Sequence, residues 1–184
     1  MDAEIKRSID PEIEQRVYVR GLERMDYGLM EVLKKMRDLP RVIKCKDIPL
    51  DTRDITGPQF WNRWLMEPAM GLMQSIQSHM VDLAPGSRSN KHGHMNEAAF
   101  YIVDGKGYDI HDGKRYDYEA GDLVVIRNGC VHQHFNANPD KPLKALVIKT
   151  KPLYLFMNLM FQKLVEPQPT DPVPGWEGWR PVDF

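Results

Sequence analysis

Apolar residues recur at steps of three and four between residues 11 and 38, which places them on one face of a helix. Pro11 is suited to a helix start, whereas Gly21 and Gly28 argue against one unbroken helix. Pro40 closes the segment, and residues 41–73 follow no regular period. The helical period is carried by Ile13, Val17, Leu22, Met25, Leu29, Val32, Leu33 and Met36.

The pattern changes after residue 74 to short apolar or alternating runs separated by turns. Asp104-Gly105 and Asp112-Gly113 are both hairpin-type turn signals. Several short strands bounded by such turns are typical of an all-β barrel or sandwich. The predicted strands are 75–83, 98–103, 108–111, 123–126 and 143–148.

These patterns of apolar and polar residues divide the chain into three regions. Residues 1–73 are predicted to form a helical and irregular N-terminal extension, and residues 74–150 a β-barrel. Residues 151–184 form a C-terminal extension, whose proline-rich end is expected to lie as an extended strap over the surface.

Composition narrows the class of protein. A length of 184 residues suits one domain, and 25 basic against 26 acidic residues give a net charge of −1. We therefore expect no nucleic-acid partner. The apolar run at 153–161 is too short to span a bilayer, and the start lacks a signal-peptide pattern. With only two cysteines and no disulfide framework, a cytoplasmic location is predicted.

The candidate chemistry lies in three histidines. His92 and His94 form an H-x-H pair, and strand side chains alternate, so both imidazoles project from one face. His132, on a second predicted strand, supplies a third imidazole. Three neutral imidazoles suit a divalent first-row metal that keeps open coordination positions.

The spacing of glycines around these histidines resembles the two motifs of the cupin superfamily, over about residues 75–150. This resemblance implies a mainly β protein, with a single jelly-roll barrel that holds a metal near one mouth. The first motif is carried by Gly86, His92, His94 and Gly105, and the second by Gly121, Arg127, Gly129, His132 and Asn136.

Two positions depart from the cupin pattern. Ala98 stands where cupins place a Glu ligand, and Glu97 is its neighbour. Strand alternation puts Ala98 on the face of His94 and Glu97 on the other face, although a β-bulge would bring Glu97 inward as a fourth ligand. Arg127 replaces a Pro and places a cation near the predicted mouth.

The segments around Ala98 and His132-Gln-His134 resemble gentisate dioxygenases, and three-histidine sites also resemble acetylacetone and thiol dioxygenases. The resemblance implies Fe(II), O₂ and a small chelating anion such as an aromatic hydroxy-acid or a diketone. Mn, Ni and Zn remain alternative metals. A metal-dependent isomerase, lyase or decarboxylase and a non-catalytic small-molecule-binding cupin remain alternative functions.

Further residues are assigned around this site. His134 and Arg127 are expected to position or protonate the substrate, and Arg88 to anchor a carboxylate. The alternatives for His134 are a metal ligand in place of one of the three histidines and a hydrogen-bonded barrel histidine. The pocket is expected to be shaped by Phe100, Ile102 and Asn136. His79 and His111 are expected to be ordinary surface or sheet residues, with a cavity contact as the alternative for His79, whose strand could border the cavity. The outer face of a small barrel needs a cover, which predicts a homodimer.

Overall fold

The computed structural model describes residues 29–51, 59–71 and 73–181, which contain two α-helices and ten strands. The helices are α1 (Leu29–Arg37) and α2 (Lys151–Phe156). The strands are β1 (Phe60–Met66), β2 (Gln77–Leu83), β3 (Lys91–His94), β4 (Ala98–Asp104), β5 (Lys106–His111), β6 (Lys114–Glu119), β7 (Leu123–Ile126), β8 (Val131–Asn136), β9 (Leu143–Lys149) and β10 (Gln162–Glu166). Short 3-10 turns lie at Cys45–Asp47 and Pro68–Met70.

The ten strands form two five-stranded antiparallel sheets. The first sheet has the order β1-β2-β9-β4-β7, and the second has the order β10-β3-β8-β5-β6. Most neighbours within a sheet are distant along the chain, as in a jelly roll. This arrangement confirms the prediction of a mainly β fold of the cupin type.

A hydrophobic core forms because the strands alternate. On β9 the residues Leu143, Ala145 and Val147 are fully buried; on β4, Ile102 is fully buried and Phe100 is almost so. Burying each large apolar side chain stabilises the fold by about 1.5–3 kcal/mol. The cluster is completed by Phe60, Val81, Leu83, Val124 and Tyr118, the last from the second sheet.

The two predicted turn signals have different outcomes. Asp112 and Gly113 both have positive φ, 48° and 84°, and join β5 to β6 as a two-residue hairpin. A primed turn of this kind requires positive φ at both central residues. The Asp104-Gly105 turn instead connects β4 in the first sheet to β5 in the second, so the prediction of a hairpin there is wrong.

Two strands lie outside the predicted 74–150 segment. β1 falls within residues 41–73, which were expected to be irregular, and β10 falls within the C-terminal extension. β1 cannot be recognised from an alternation of apolar and polar residues, because Asn62 and Arg63 are both buried and its polar residues do not mark an exposed face. β10 is exposed along its whole length and also lacks alternation.

The N-terminal region is described only in part. α1 lies within the predicted helical segment 11–38, whose earlier residues fall outside the described ranges. Residues 167–181 contain turns but no helix or strand, as expected for a strap. Neither α1 nor α2, the α-helices of the described residues, is long and apolar enough to cross a lipid bilayer.

Candidate metal centre

Three histidines from two neighbouring strands converge inside the fold. His92 and His94 lie on β3 and His132 on β8, and His92 is directly opposite His132 in the ladder. One nitrogen from each ring lies within 4.8 Å of the others. The ring centroid of His132 is 4.4 Å from that of His92 and 4.9 Å from that of His94. These residues form the three-histidine cluster.

Backbone carbonyls fix two of the rings in the tautomer that a metal needs. Nδ1 of His94 lies 2.8 Å from the carbonyl oxygen of Asn96, and Nδ1 of His132 lies 3.0 Å from that of Cys130. A carbonyl oxygen only accepts, so each Nδ1 carries the hydrogen and each Nε2 keeps its lone pair. His94 Nε2 is buried and, among the described residues, has no hydrogen-bond partner.

The electrostatic environment keeps the cluster neutral. Burial, assisted by the charge of Lys149, lowers the pKa of His92 to about 3 and that of His94 to about 4. Burial and the charge of His134 hold the pKa of His132 still further below its ordinary value. Neutral imidazoles are the form that binds a metal. The donor set and the orphaned His94 nitrogen therefore fit a divalent first-row ion.

No carboxylate joins the cluster among the described residues. Ala98 is buried on the inner face of β4, whereas the Glu97 side chain is exposed. The Glu97 backbone N–H donates to Oγ1 of Thr150 at 3.1 Å, which fixes the start of β4 in this orientation. The structure thus places Glu97 as strand alternation predicts, and the inward bulge is not formed.

A cavity of about 250 Å³ lies beside the cluster, and aromatic and basic side chains line this cavity. Phe60, Trp64 and Phe100 supply its aromatic surface. Among the described residues no Asp or Glu lines it. The titratable side chains that line it are His79, His92, His94, His134, Lys149 and Lys151.

His134 is held on the cavity wall by Phe100 and by a buried carboxylate. Its ring stacks on Phe100 at a centroid distance of 4.5 Å. Nδ1 lies 2.9 Å from Oδ1 of Asp109, which also accepts from the Tyr118 hydroxyl at 3.0 Å. His111 Nε2 lies 3.1 Å from Asp109 Oδ2. With Nδ1 engaged, His134 has Nε2 left for a ligand in the cavity.

Asp109 is completely buried, yet its pKa lies well below the usual range. Burial alone raises a carboxyl pKa, but here the charge of His134 and hydrogen bonds from His111, His134 and Tyr118 outweigh it. Burial, and after it the negative charge of Asp109, raises the pKa of Tyr118. Asp109 is therefore an ionised anchor for His134.

Two arginines that sequence analysis assigned to substrate binding do not line the cavity. Arg127 is exposed and lines a separate surface pocket with Tyr116 and Cys130. Arg88 is exposed in another pocket beside Gln59. Neither guanidinium is brought to the three-histidine cluster.

Two expected pocket residues have other contacts. Ile102 is fully buried in the hydrophobic core rather than on the cavity wall. Asn136 Nδ2 donates to the carbonyl oxygen of Lys141 at 2.9 Å, and its Oδ1 accepts from the Asn138 backbone N–H at 2.9 Å. Asn136 thus holds the loop between β8 and β9.

Some cavity residues were not assigned to the site from the sequence. His79 was expected to be an ordinary surface or sheet residue on a strand that could border the cavity; it is buried, packs its ring 4.4 Å from that of Trp64 and lines the cavity. Burial holds its pKa well below the ordinary value. Lys149 continues the inner face of β9 after Val147, so strand alternation was the signal that could have found it.

Comparison with known proteins identifies the segment that carries the site. Residues 79–149 match the family model described as a cupin domain. A gentisate 1,2-dioxygenase from Ralstonia sp. is 31% identical over 121 residues, which are 62% of this chain and 34% of that protein. The chain therefore spans about a third of the length of this curated relative.

Solved structures share the fold at low identity. Salicylate 1,2-dioxygenase from Pseudaminobacter salicylatoxidans matches with a TM-score of 0.53 and 16% identity, over 77% of this chain and 37% of that one. A cupin-like protein from Thermotoga maritima matches with a TM-score of 0.54 and 23% identity, over 70% and 90%. The polyketide cyclase RemF from Streptomyces resistomycificus has a TM-score of 0.52 and 16% identity, over 60% and 79%.

Proposed function

This chain carries a cupin domain at residues 79–149, and from that premise we propose that it is a mononuclear Fe(II) dioxygenase for a small chelating anion. His92, His94 and His132 are the proposed ligands. The alternative metals are Mn, Ni and Zn. A cytoplasmic location and O₂ as co-substrate are part of the proposal.

The observation that carries the proposal is a cluster of three neutral imidazoles that no carboxylate of the described residues joins, and two of these imidazoles, His92 and His94, line a basic cavity. A divalent ion held by three neutral ligands keeps its full 2+ charge and offers open positions to a chelating anion and O₂. A fourth, anionic protein ligand would compete with such a substrate. Ala98 on the inner face provides none.

The cavity residues have complementary tasks in this proposal. Phe100 and Trp64 flank a flat substrate, and His134 offers Nε2 for a hydrogen bond to a substrate oxygen. Asp109 holds His134 in place through Nδ1. A space of about 250 Å³ suits a substrate with one ring or a short diketone better than a large one.

The relatives suggest which compounds to test. Gentisate and salicylate are named for the dioxygenases that this chain resembles, and acetylacetone represents the diketones. The protein should be stripped with a chelator, loaded anaerobically with Fe(II), Mn(II), Ni(II) or Zn(II), and mixed with each compound. Oxygen uptake and incorporation of labelled O₂ into the product are measured.

The expected result is Fe(II)-dependent oxygen uptake, with both labelled oxygen atoms in the product. His94→Ala should abolish it, and Glu97→Gln should leave it unchanged because that side chain is exposed. Turnover without O₂, supported by Zn(II) or Ni(II), would establish an isomerase, lyase or decarboxylase instead. Binding without turnover of any compound would establish a non-catalytic cupin.

A further inference from the structure

The side chains that line the cavity give it a net positive charge. Lys149 and Lys151 line it, and no acidic side chain of the described residues does so. Neither lysine amine has an ion-pair partner in the part of the chain that the structure describes. Both lysines are partly buried. A cation partly withdrawn from water without a counter-charge is unfavourable, and an anion in the cavity relieves that cost.

Lys149 lies directly opposite Ala98. The two residues are cross-strand partners between β9 and β4, and such pairs project on the same face with their Cβ atoms about 4.5–5.5 Å apart. The partner of Lys149 on its other side is Gln77 in β2, which is uncharged. The lysine therefore faces the cavity between two neutral neighbours.

Residue 98 is the position at which the charge opposite Lys149 is decided. The general cupin pattern has a Glu ligand at the position of Ala98, and a carboxylate there would lie opposite Lys149 in the ladder. The methyl group of Ala98 provides no charge, so the carboxylate must come from a bound molecule. Lys149 lines the same cavity as His92 and His94, and its charge contributes to lowering the pKa of both histidines.

We propose that Lys149 binds the carboxylate of the substrate beside Ala98 and so selects hydroxy-acids over diketones, which carry no carboxylate. Lys151 adds positive charge to the same wall, whereas Arg127 and Arg88 take no part. The inference rests on the proposed function for the site, and it chooses between the two substrate classes left open there. Burial, with the charge of Lys151, lowers the pKa of Lys149 to about 8, which leaves the amine protonated at neutral pH.

The test is a binding measurement on the chelator-treated protein without O₂. Salicylate carries a carboxylate, and salicylamide has nearly the same shape without that charge. Affinities for both are measured by calorimetry and by quenching of tryptophan fluorescence, since Trp64 lines the cavity. We expect salicylate to bind at least about tenfold more tightly than salicylamide.

Variants separate recognition from structure. Lys149→Met should weaken salicylate binding by about tenfold and leave salicylamide unchanged, and Lys149→Arg should restore most of the difference. Lys163→Met is the matched control, because Lys163 is exposed on β10 and does not line the cavity. Ala98→Glu should place a carboxylate opposite Lys149 and abolish the preference for salicylate.

Each outcome decides the proposal. Equal salicylate affinity of wild type and Lys149→Met, or an equal loss for both ligands, would overturn it, as would a failure of wild type to bind salicylate. A loss carried by Lys151→Met alone would reassign the role to Lys151. Lys149→Met should also raise the thermal unfolding midpoint, whereas a lower midpoint would indicate a structural lysine.

The binding test is independent of catalysis. If no oxygen uptake occurs but the salicylate preference depends on Lys149, the dioxygenase proposal fails and the recognition proposal stands. If oxygen uptake occurs and the Lys149 variants retain the preference for salicylate, the recognition proposal fails and the dioxygenase proposal stands.

Discussion

Asp109 and His134 are cross-strand partners on β5 and β8, and the carboxylate lies 2.9 Å from Nδ1 of the imidazole. The pair links the interior of the second sheet to the cavity wall. Because Asp109 is completely buried, the ring of His134 is held by a charge that water does not screen.

Removing the charge of Asp109 should destabilise the fold. We expect Asp109→Asn to lower the free energy of unfolding by about 3 kcal/mol at neutral pH, since it breaks a buried charge–hydrogen-bond network. Tyr118→Phe removes only one of the hydrogen bonds to Asp109 and should cost about 1 kcal/mol. Urea unfolding measures both, and equal losses would contradict the role of the charge.

The same pair predicts a pH dependence. The pKa of Asp109 is lowered in the folded state, so its stabilisation is complete above the ordinary carboxyl pKa of about 4 and is lost as the pH falls towards the folded value. The difference in unfolding free energy between wild type and Asp109→Asn should therefore be constant from neutral pH to about 5 and shrink below about 4. A difference that grows on acidification would contradict this assignment.

Metal binding should depend on the cluster and not on histidine content. We expect His132→Ala to lower the affinity for Zn(II) or Co(II) by about 100-fold, since one of three ligands is lost. His79→Gln is the matched control, because His79 lines the same cavity but lies outside the cluster. Competition with a chromophoric chelator measures both affinities, and similar losses in the two variants would argue against the cluster.

Gly107 marks a close approach between β5 and its neighbours. A Cβ at this position would meet the backbone oxygen of Phe135 and would come within 2.8 Å of Cε2 of Tyr118. We expect Gly107→Ala to cost about 2–3 kcal/mol and to weaken metal binding, because β8 must shift with its histidines. Gly178→Ala has open space and should be neutral in both assays.

Self-association is predicted through the outer face of the first sheet. Leu123 and Tyr101 are cross-strand partners, and Val125 and Ile148 both flank Ala99, so four exposed apolar side chains lie together. Val125→Lys should convert a homodimer to a monomer in light scattering. Tyr116→Lys, on the other sheet, should not. A monomeric wild type would refute the homodimer.

Alternation along the strands made much of the fold predictable. The apolar faces of β4, β7 and β9 and the H-x-H pair follow a period of two, and the structure places them accordingly. Arg127 was assigned from its motif position, although the same period puts it outward: Val124 and Ile126 are buried, and Val125 is exposed. Extending the strand alternation by one residue predicts an exposed Arg127 side chain, outside the pocket.

Other parts of the site depend on register. Lys149 was missed because the predicted strand ended at residue 148, one position before the cavity. Asp109 lies in a predicted strand, but its partner His134 is 25 residues away in the chain, and only the pairing of β5 with β8 brings them together. Long-range pairing leaves no local signal in a single sequence.

The strand that carries His92 and His94 has β10, at residues 162–166, as one of its two neighbours. β10 places Gln162 opposite His94 and Leu164 opposite His92, outside the segment that matches the cupin family. A chain trimmed to residues 79–149 would lose this neighbour, together with β1 and the first residues of β2. The strand that carries two of the three imidazoles would then become a sheet edge, with unpaired backbone groups that favour fraying and aggregation.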